Sequence, residues 1–438
     1  MPRLGGLAIV VAFFAPLLAL LFVDSEAGRR FWAEPREAVG LFLGGLAITA
    51  LGVLDDLKGT GARTKFTVQF AVAAGMYWVG YRIDAITTPF GPSLELGLLG
   101  LPLTMLWIAG IINAVNLIDG LDGLAGGVAL IAVSTVFAMA AIGNQGQMLL
   151  FAGALGGAIV GFLIYNFNPA TIFMGDTGSM FLGFVLAVTS LRTSTKATTA
   201  VALMVPIIAL GVPIADTLLA MFRRALRGVP MFSADRGHIH HRLLDLGLSH
   251  RQAVLAIYGA AVFLGGAALT LSFANSHQAA VLLLVLSGLA FVALRALGFM
   301  DLRKAQAALG DRRRNLDIRA AVRRAGEALR SAESAEAAWA IVRDTAPAFG
   351  ASGVGLTLGR LDGRPACGPW ELGIEGLPAH GLRARFGLIT ERPGDDHLDL
   401  AWTDGRTVIY RDTEIAIELL CEHLATAVER LERPGAGT

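Results

Sequence analysis

Long apolar runs separated by short polar segments fill the first 300 residues of the chain. A helix that crosses a bilayer needs about 20 mostly apolar residues. The pattern predicts ten transmembrane helices, near 4–23, 38–54, 66–80, 98–118, 124–142, 147–165, 179–191, 199–221, 252–273 and 278–297. The third and seventh of these runs are short and contain glycine, so their ends are the least defined.

The chain beyond residue 300 follows a different pattern. Residues 301–332 are rich in arginine and predict a basic juxtamembrane helix or linker, which would suit anionic lipid or plain solvent equally well. Residues 333–438 predict a small α+β domain, with helices at 333–348 and 411–433 and alternating strands at 352–360, 382–390 and 397–403. The predicted fold is therefore an all-α polytopic membrane domain, residues 1–300, followed by a small C-terminal domain.

Composition agrees with this division and excludes several classes of protein. Hydrophobic residues make up 54% of the chain and charged residues 16%, whereas a soluble domain carries about 25% charged residues. The formal net charge of +1 gives no case for a nucleic-acid partner. The two cysteines, Cys367 and Cys421, cannot build a disulfide framework.

The loops between the predicted spans differ in charge from one side of the membrane to the other. One alternating set carries about ten Lys and Arg residues, six of them in 222–251, and the other set about six. The positive-inside rule places the richer set, together with the tail beyond 297, in the cytoplasm. The unusual polar clusters fall in the loops of that same set, as expected for a membrane-embedded active site that faces soluble substrates.

Two of these clusters are rich in carboxylates. Asp55 and Asp56 end the second span, where adjacent carboxylates would gain from a bound cation, although a solvated helix end is the plain alternative. In the second cluster, residues three and four apart share a helix face, and polar stripes of this kind can also hold helices together in lipid. That stripe comprises Asn113, Asn116, Asp119 and Asp122.

The other two clusters point to anions. Asp176 lies between Gly175 and Thr177 at the start of the seventh span, where a helix N-terminus favours negative charge, or where a simple helix cap would suffice. The loop 235–242 combines histidine with arginine and would suit either zinc or phosphate. The plain alternative is a cytoplasmic loop that is merely basic. The neighbouring arginines favour an anion. The residues concerned are Arg236, His238, His240 and His241.

Together these clusters predict a reaction class. Carboxylates gathered at one side suggest a divalent cation with oxygen ligands, most plausibly Mg²⁺, with Mn²⁺ as a substitute. A basic loop on that side suggests phosphate, and the surrounding apolar helices suggest a lipid substrate. Phosphoryl transfer at a membrane surface follows from these features.

At these residues the sequence resembles the polyprenyl-phosphate N-acetylhexosamine-1-phosphate transferases, a superfamily that includes the muramoyl-pentapeptide transferase. Each motif is short, but the five of them occur in the expected order and cover roughly residues 1–251. They are Pro2-Arg3-Leu4-Gly5-Gly6, Leu54-Asp55-Asp56, 113–125, 173–179 and 235–244.

The resemblance implies Mg²⁺-dependent transfer of a sugar 1-phosphate from a UDP-N-acetylhexosamine to undecaprenyl phosphate, with release of UMP. It implies a multi-pass protein of the bacterial inner membrane with a cytoplasmic active site, and often a homodimer. Asp55 or Asp56 would act as base or nucleophile, by direct attack or through a phospho-enzyme; direct attack is favoured. The metal ligands would be Asp176 and Asp119, the latter also catalytic with Asp122. Substrate would be bound by Asn113, Asn116, Arg236, His238, His240 and His241.

The resemblance also narrows the substrate. The segment from Asp235 to Leu243 looks like the GlcNAc-1-phosphate branch rather than the muramoyl-pentapeptide branch. Relatives usually carry a span before the Pro-Arg-x-Gly-Gly motif, where this chain begins, so either the start is misassigned or that helix is missing. The Asp55-Asp56 pair also lacks the further acidic residue that some relatives show nearby.

The sequence also offers three other functions. The C-terminal domain vaguely resembles a GAF-type sensory module, which predicts regulation, dimerisation or partner docking. A catalytically inactive polyprenyl-phosphate sensor is therefore the rival from another class, although so many carboxylates beside an anionic lipid favour an enzyme. A transporter would place ionisable residues near the middle of the spans, whereas here they lie at one end.

Overall fold

The computed structural model describes most of the chain, namely residues 5–88, 91–195, 204–227, 237–299, 302–358, 370–371, 381–388 and 396–432. The chain divides into two compact units: residues 1–222 with 234–300, and residues 223–233 with 301–438. The predicted boundaries at 300 and 332, and the GAF-like character of the tail, stay predictions.

The membrane part is built almost entirely of helices. Its elements are α1 (Gly5–Ala19), α2 (Glu26–Phe31), α3 (Pro35–Lys58), α4 (Ala62–Val79), β1 (Ala85–Thr88), β2 (Gly91–Glu95), a 3-10 turn (Gly97–Leu99), α5 (Gly100–Ile118), α6 (Leu124–Ile142), α7 (Gly146–Asn166), α8 (Gly175–Thr195), α9 (Met204–Ala209), α10 (Gly211–Arg227), α11 (Ile239–Asp245), α12 (His250–Phe273) and α13 (Ser276–Ala296).

Six helical stretches in the described residues are long and apolar enough to cross a membrane. Each coincides with one of the ten predicted spans, and α6 does so at both ends. The six are Pro35–Lys58, Gly97–Ile118, Leu124–Ile142, Gly146–Asn166, His250–Phe273 and Ser276–Ala296. A multi-pass membrane protein is therefore confirmed in outline, whereas ten spans are not.

The four remaining predicted spans have separate physical explanations. The first is only 15 residues long as α1. The third and seventh are the helices α4 and α8, which carry polar residues among their apolar ones; some of these, such as Gln69 and Thr177, are fully buried.

The eighth predicted span, 199–221, is not a single helix. Residues 199–203 lie outside the described part, and the rest is divided at Leu210 between α9 and α10. Pro213 follows shortly after and has no N–H to donate to the carbonyl four residues earlier, so the helical ladder is interrupted there.

Helix α8 is the centre of the bundle, and its first turn is packed unusually closely. It lies against α1, α3, α5, α6 and α7. A methyl group on Gly6 would lie 2.2 Å from the Gly178 nitrogen, and one on Gly52 would lie 2.4 Å from the Thr177 Cα. The backbone N–H groups of Gly5 and Gly6 donate to the carbonyls of Phe173 and Met174, at 3.0 and 2.9 Å. The glycines of the first motif therefore allow α1 to dock on the start of α8.

At the end of the bundle opposite the first turn of α8, an ion pair joins Arg192 to the buried Glu37. Arg192 contacts Glu37 through two nitrogens, at 2.6 and 2.8 Å, and the Tyr81 hydroxyl donates to the Glu37 carbonyl at 3.2 Å. The antiparallel hairpin β1–β2, which the sequence did not predict, connects α4 to α5 at this end.

The C-terminal part contains helices and one antiparallel sheet. Its elements are α14 (Leu302–Arg330), α15 (Ala335–Thr345), a 3-10 turn (Ala346–Phe349), β3 (Gly353–Thr357), β4 (Trp370–Glu371), β5 (Leu382–Gly387), β6 (His397–Trp402) and α16 (Arg411–Glu432). The strand order is β4-β3-β6-β5, with Gly355 opposite Asp399 and Ala384 opposite Leu400. Its separate hydrophobic core includes Phe349 and Trp402.

The close approach of α3 to α8 gives a stability prediction. Gly52→Ala should destabilise the protein by about 1–3 kcal/mol, because the added methyl group meets backbone that cannot move aside. Gly157→Ala is the matched control, since open space surrounds that helical glycine. The measurement is the thermal unfolding midpoint in detergent, and equal midpoints for both variants would contradict this account of the packing.

Candidate active site

The Asp56 side chain caps the first turn of α8. One carboxylate oxygen accepts the backbone N–H of Asp176 at 2.8 Å, and the other accepts the Thr177 backbone N–H and hydroxyl, at 3.0 and 2.6 Å. The first N–H groups of a helix have no partner within the helix, and an anion there is favoured. Asp56 is predicted as a catalytic residue, but both of its carboxylate oxygens are used to hold the first turn of α8.

Lys65 lies between two of the predicted site carboxylates. Its ammonium group is ion-paired with Asp55 and donates to Asp176 Oδ2 at 2.8 Å. The other Asp55 oxygen accepts the backbone N–H and the hydroxyl of Thr60, each at 2.6 Å. These contacts bring the ends of α3, α4 and α8 together around one cation.

The two predicted asparagines have different neighbours. The Asn116 amide donates to the Ser179 hydroxyl at 2.8 Å, which joins the stripe on α5 to the first turn of α8. Asn113, one turn earlier, donates to Gln69 Oε1 at 2.6 Å and to the Ala109 carbonyl at 2.7 Å. Since Gln69 is fully buried, the contact of Asn113 is one between packed helices.

Asp119 completes the group of carboxylates. It lies at the end of α5, and burial raises its pKa to about 7, with further contributions from the charges of Asp176, Asp56 and Asp122. Burial is the largest cause of the raised pKa, and the neighbouring negative charges add to it because they disfavour ionisation. A cation added to this group would be bound favourably.

Asp122 holds the loop that leads into α8. Its Oδ2 accepts the Asn168 amide at 3.1 Å and the Ala170 backbone N–H at 3.0 Å. Nearby, Asn166 accepts the Gly123 N–H at 3.1 Å, and the Tyr258 hydroxyl donates to the Gly123 carbonyl at 2.6 Å. Gly123 itself has a φ of 76°, a left-handed conformation that favours glycine.

The histidine segment lies beside Asp119. His238 contacts Asp216 through Nδ1 at 2.7 Å, and the same carboxylate accepts the Ile239 backbone N–H at 2.7 Å. His240 approaches Gly120 so closely that a methyl group there would lie 2.8 Å from Nε2. His241 packs on His240, with ring centroids 4.3 Å apart. The fourth predicted member, Arg236, lies outside the described residues.

His240 is a neutral imidazole at pH 7. Burial lowers its pKa to about 4, assisted by the adjacent His241 and only partly opposed by Asp216. It can therefore both donate and accept a hydrogen bond at neutral pH, whereas a protonated ring can only donate.

The donor set fits a magnesium ion. Across the described ranges, no group of three or more His, Cys, Asp or Glu side chains is arranged so that it could hold a metal ion by itself. Mg²⁺ commonly uses one or two carboxylates together with water and substrate phosphates, so an open group of carboxylates suits it. Lys65 already contacts two of these carboxylates, Asp55 and Asp176.

Several residues of this site were not singled out from the sequence. Neither Lys65 nor Asp216 is among the candidate site residues that the sequence predicts. Thr60, Gln69 and Tyr258 lie outside the five sequence motifs. A cation at the start of an apolar helix on the motif-bearing side was the available signal for Lys65.

The lowered pKa of His240 gives a prediction of acid sensitivity. Below pH 6.5 the unfolded chain binds a proton at this ring, whereas the folded protein does not until about pH 4. The ring therefore destabilises the folded state progressively as the pH falls through this window. We expect His240→Gln to lose less thermal stability than wild type between pH 7.5 and 5.0.

The exposed His277 provides the control for this measurement. His277→Gln should leave the pH dependence of the unfolding midpoint unchanged. If both variants follow the wild-type curve, the burial of a neutral His240 is refuted.

Comparison with known proteins places these residues in a family. Residues 38–194 match the model of glycosyl transferase family 4, a range that holds the described carboxylate cluster. The chain is 42% identical over 259 residues to a probable undecaprenyl-phosphate N-acetylglucosaminyl 1-phosphate transferase of Bacillus subtilis, which covers 59% of this chain and 70% of that protein.

Two further relatives extend the comparison. A decaprenyl-phosphate N-acetylglucosaminephosphotransferase of Mycobacterium leprae is 36% identical over 320 residues, covering 66% of this chain and 79% of that protein. A phospho-N-acetylmuramoyl-pentapeptide-transferase of Heliobacterium modesticaldum is 36% identical over 258 residues, covering 55% of this chain and 75% of that protein. With its apolar helices and its carboxylate cluster, the chain belongs to glycosyl transferase family 4 and is a multi-pass membrane enzyme, a glycosyl-1-phosphate transferase.

Proposed function

We propose that the chain transfers N-acetylglucosamine 1-phosphate from UDP-GlcNAc to undecaprenyl phosphate and releases UMP. The reaction would be the first membrane step in the synthesis of a cell-envelope polysaccharide, at the cytoplasmic face of the bacterial inner membrane. The observation that carries the proposal is the cluster in which Lys65 bridges Asp55 and Asp176 while Asp119 lies close by.

The covalent chemistry asks little of the protein. A phosphate monoester has a second pKa near 6, so the acceptor phosphate is largely dianionic at pH 7 and needs no strong base. Its oxygen attacks the sugar-linked phosphorus of the donor, the bond from that phosphorus to the bridging oxygen breaks, and UMP leaves. We therefore propose a single displacement, in which positioning and electrostatics supply most of the rate.

The side chains divide this work between them. Asp55 and Lys65 would orient the acceptor phosphate, while Asp56 holds the start of α8 in place. Asp176 and Asp119 would hold Mg²⁺, which would offset the charge that develops on the leaving phosphate. The neutral His240, beside Gly120, would hydrogen-bond the donor.

Substrate choice rests on two observations. The Bacillus subtilis relative, whose name includes N-acetylglucosaminyl, is 42% identical, whereas the Mycobacterium leprae N-acetylglucosaminephosphotransferase and the muramoyl-pentapeptide relative are each 36% identical. The histidine segment, from Asp235 to Leu243, also resembles the GlcNAc-1-phosphate branch of the superfamily. A lipid-binding sensor would retain lipid binding but would release no UMP, and family membership favours the enzyme.

The proposal predicts a specific assay result. Purified protein in detergent, given undecaprenyl phosphate, UDP-GlcNAc and Mg²⁺, should release UMP only when all three are present. EDTA should abolish release and added Mg²⁺ should restore it. Asp176→Asn should lower turnover by at least about 100-fold, because it removes the charge of a proposed Mg²⁺ ligand.

The control is Asp84→Asn, which alters an exposed carboxylate at the other end of α4. UMP release without lipid, or full activity of Asp176→Asn, would refute the proposal. Release with UDP-MurNAc-pentapeptide but not with UDP-GlcNAc would assign the enzyme to the other branch.

Lys65 supplies a second prediction. Lys65→Gln should lower kcat by roughly 100-fold, because Asp55 and Asp176 would then repel each other and the incoming phosphates. Arg63→Gln removes an exposed positive charge from the same helix end and should retain activity. Equal activities for the two variants would show that Lys65 only balances charge in the resting protein.

A further inference from the structure

A cavity of about 470 Å³ lies between α14 and α16 in the C-terminal unit. On both helices the lining residues recur at spacings of three and four, which places them along one face of each helix. The volume falls within the range of about 300–1,000 Å³ that is typical of small-molecule sites. Nothing in the proposed transfer reaction uses this cavity.

The two helices that form the cavity run in the same direction and approach closely. Asn315 lies 3.4 Å from Asp412 near the start of α16, and the Arg430 guanidinium contacts the Ala332 carbonyl near its end. Between them, a methyl group on Gly326 would lie 2.6 Å from the His423 ring. The glycine thus lets the imidazole form part of the cavity wall.

The lining combines an apolar floor with a positively charged rim. Val322 and Ala416 are buried, and Leu419 adds an exposed apolar side chain. The rim carries three arginines against Glu327 and Asp412, so its charge is positive before His423 is counted. The three arginines are Arg319, Arg323 and Arg330.

We infer that this cavity binds an amphiphilic organic phosphate. The planar guanidinium groups of Arg319 and Arg323, one helical turn apart, suit phosphate oxygens, and the apolar floor suits an alkyl chain or a base. Such a site would let a phosphorylated metabolite or lipid act on the enzyme through its C-terminal unit.

A second copy of the chain fits this surface less well. In a two-fold interface the same patch meets itself, so the arginine rims of the two copies would face each other. Like charges brought together in this way are unfavourable, whereas an anion neutralises them. The charge pattern therefore favours a ligand over self-association.

Hydrogen–deuterium exchange on the full chain in dodecyl maltoside tests the inference. The probes are dodecyl phosphate, UMP and, as a zwitterionic control, dodecylphosphocholine. We expect a phosphate probe to slow exchange in peptides that cover 315–330 and 412–424. In the double variant Arg319→Gln/Arg323→Gln, the apparent affinity should fall about tenfold or more, since two charge-assisted hydrogen bonds are lost.

The matched control is Arg312→Gln/Arg313→Gln, which removes the same charge from exposed positions of α14. Protection by dodecyl phosphate alone identifies a lipid source, and protection by UMP as well identifies a soluble one; both support the inference. It is overturned by unchanged exchange with both phosphate probes, by equal protection with dodecylphosphocholine, or by equal affinities of the two double variants. Protection that grows with protein concentration without any probe would identify a second copy, which also overturns it.

The same experiment separates this site from the membrane site. Peptides that cover 166–179 report the proposed transferase centre, and Asp176→Asn should weaken a response there without altering protection in α14 and α16. The two proposals can therefore fail independently.

Discussion

The membrane part depends on how the buried first turn of α8 is satisfied. Unpaired backbone N–H groups inside a membrane bundle cost several kcal/mol each, so a helix that begins there requires acceptors. Asp56 of α3 supplies both carboxylate oxygens, and the glycines of α1 and α3 allow the close packing that brings this carboxylate within reach. Asp176 sits in that same turn, so the cap also fixes a proposed metal ligand. The adjacent Asp55 is left to meet Lys65, which explains why two neighbouring carboxylates have different contacts.

At this end of the bundle, the carboxylates outnumber the lysine that contacts them. Five carboxylates gather there, and Lys65 contacts two of them, while burial and, after it, repulsion from three neighbouring carboxylates raise the pKa of Asp119. A folded protein gains nothing in stability from such repulsion, and functional sites commonly sacrifice stability in this way. The proposed divalent cation would offset part of this negative charge.

The sequence predicted those features that depend on local pattern. Apolar runs gave the long helices, and motif spacing gave the carboxylates that meet near α8. The contacts of Lys65 with Asp176 and of Asp56 with Thr177 join residues more than 100 positions apart, which no local pattern encodes. The break at Leu210 was missed because hydropathy does not register the N–H that Pro213 lacks. The two asparagines could not be told apart either, since their neighbours, Gln69 and Ser179, come from different helices.

The two ends of the bundle show why only one of them suits a substrate. At the end away from the motifs, Glu37 is buried against Arg192 in a two-point ion pair, and each charge has its partner within the chain. A pair of this kind gains little from a ligand, because breaking it would leave a charge buried and uncompensated. At the motif end, Lys65 contacts two of the five carboxylates, so in the described residues the acids outnumber the base that contacts them. The same residue types thus close one end of the bundle and open the other to chemistry, according to whether acid and base are matched in number.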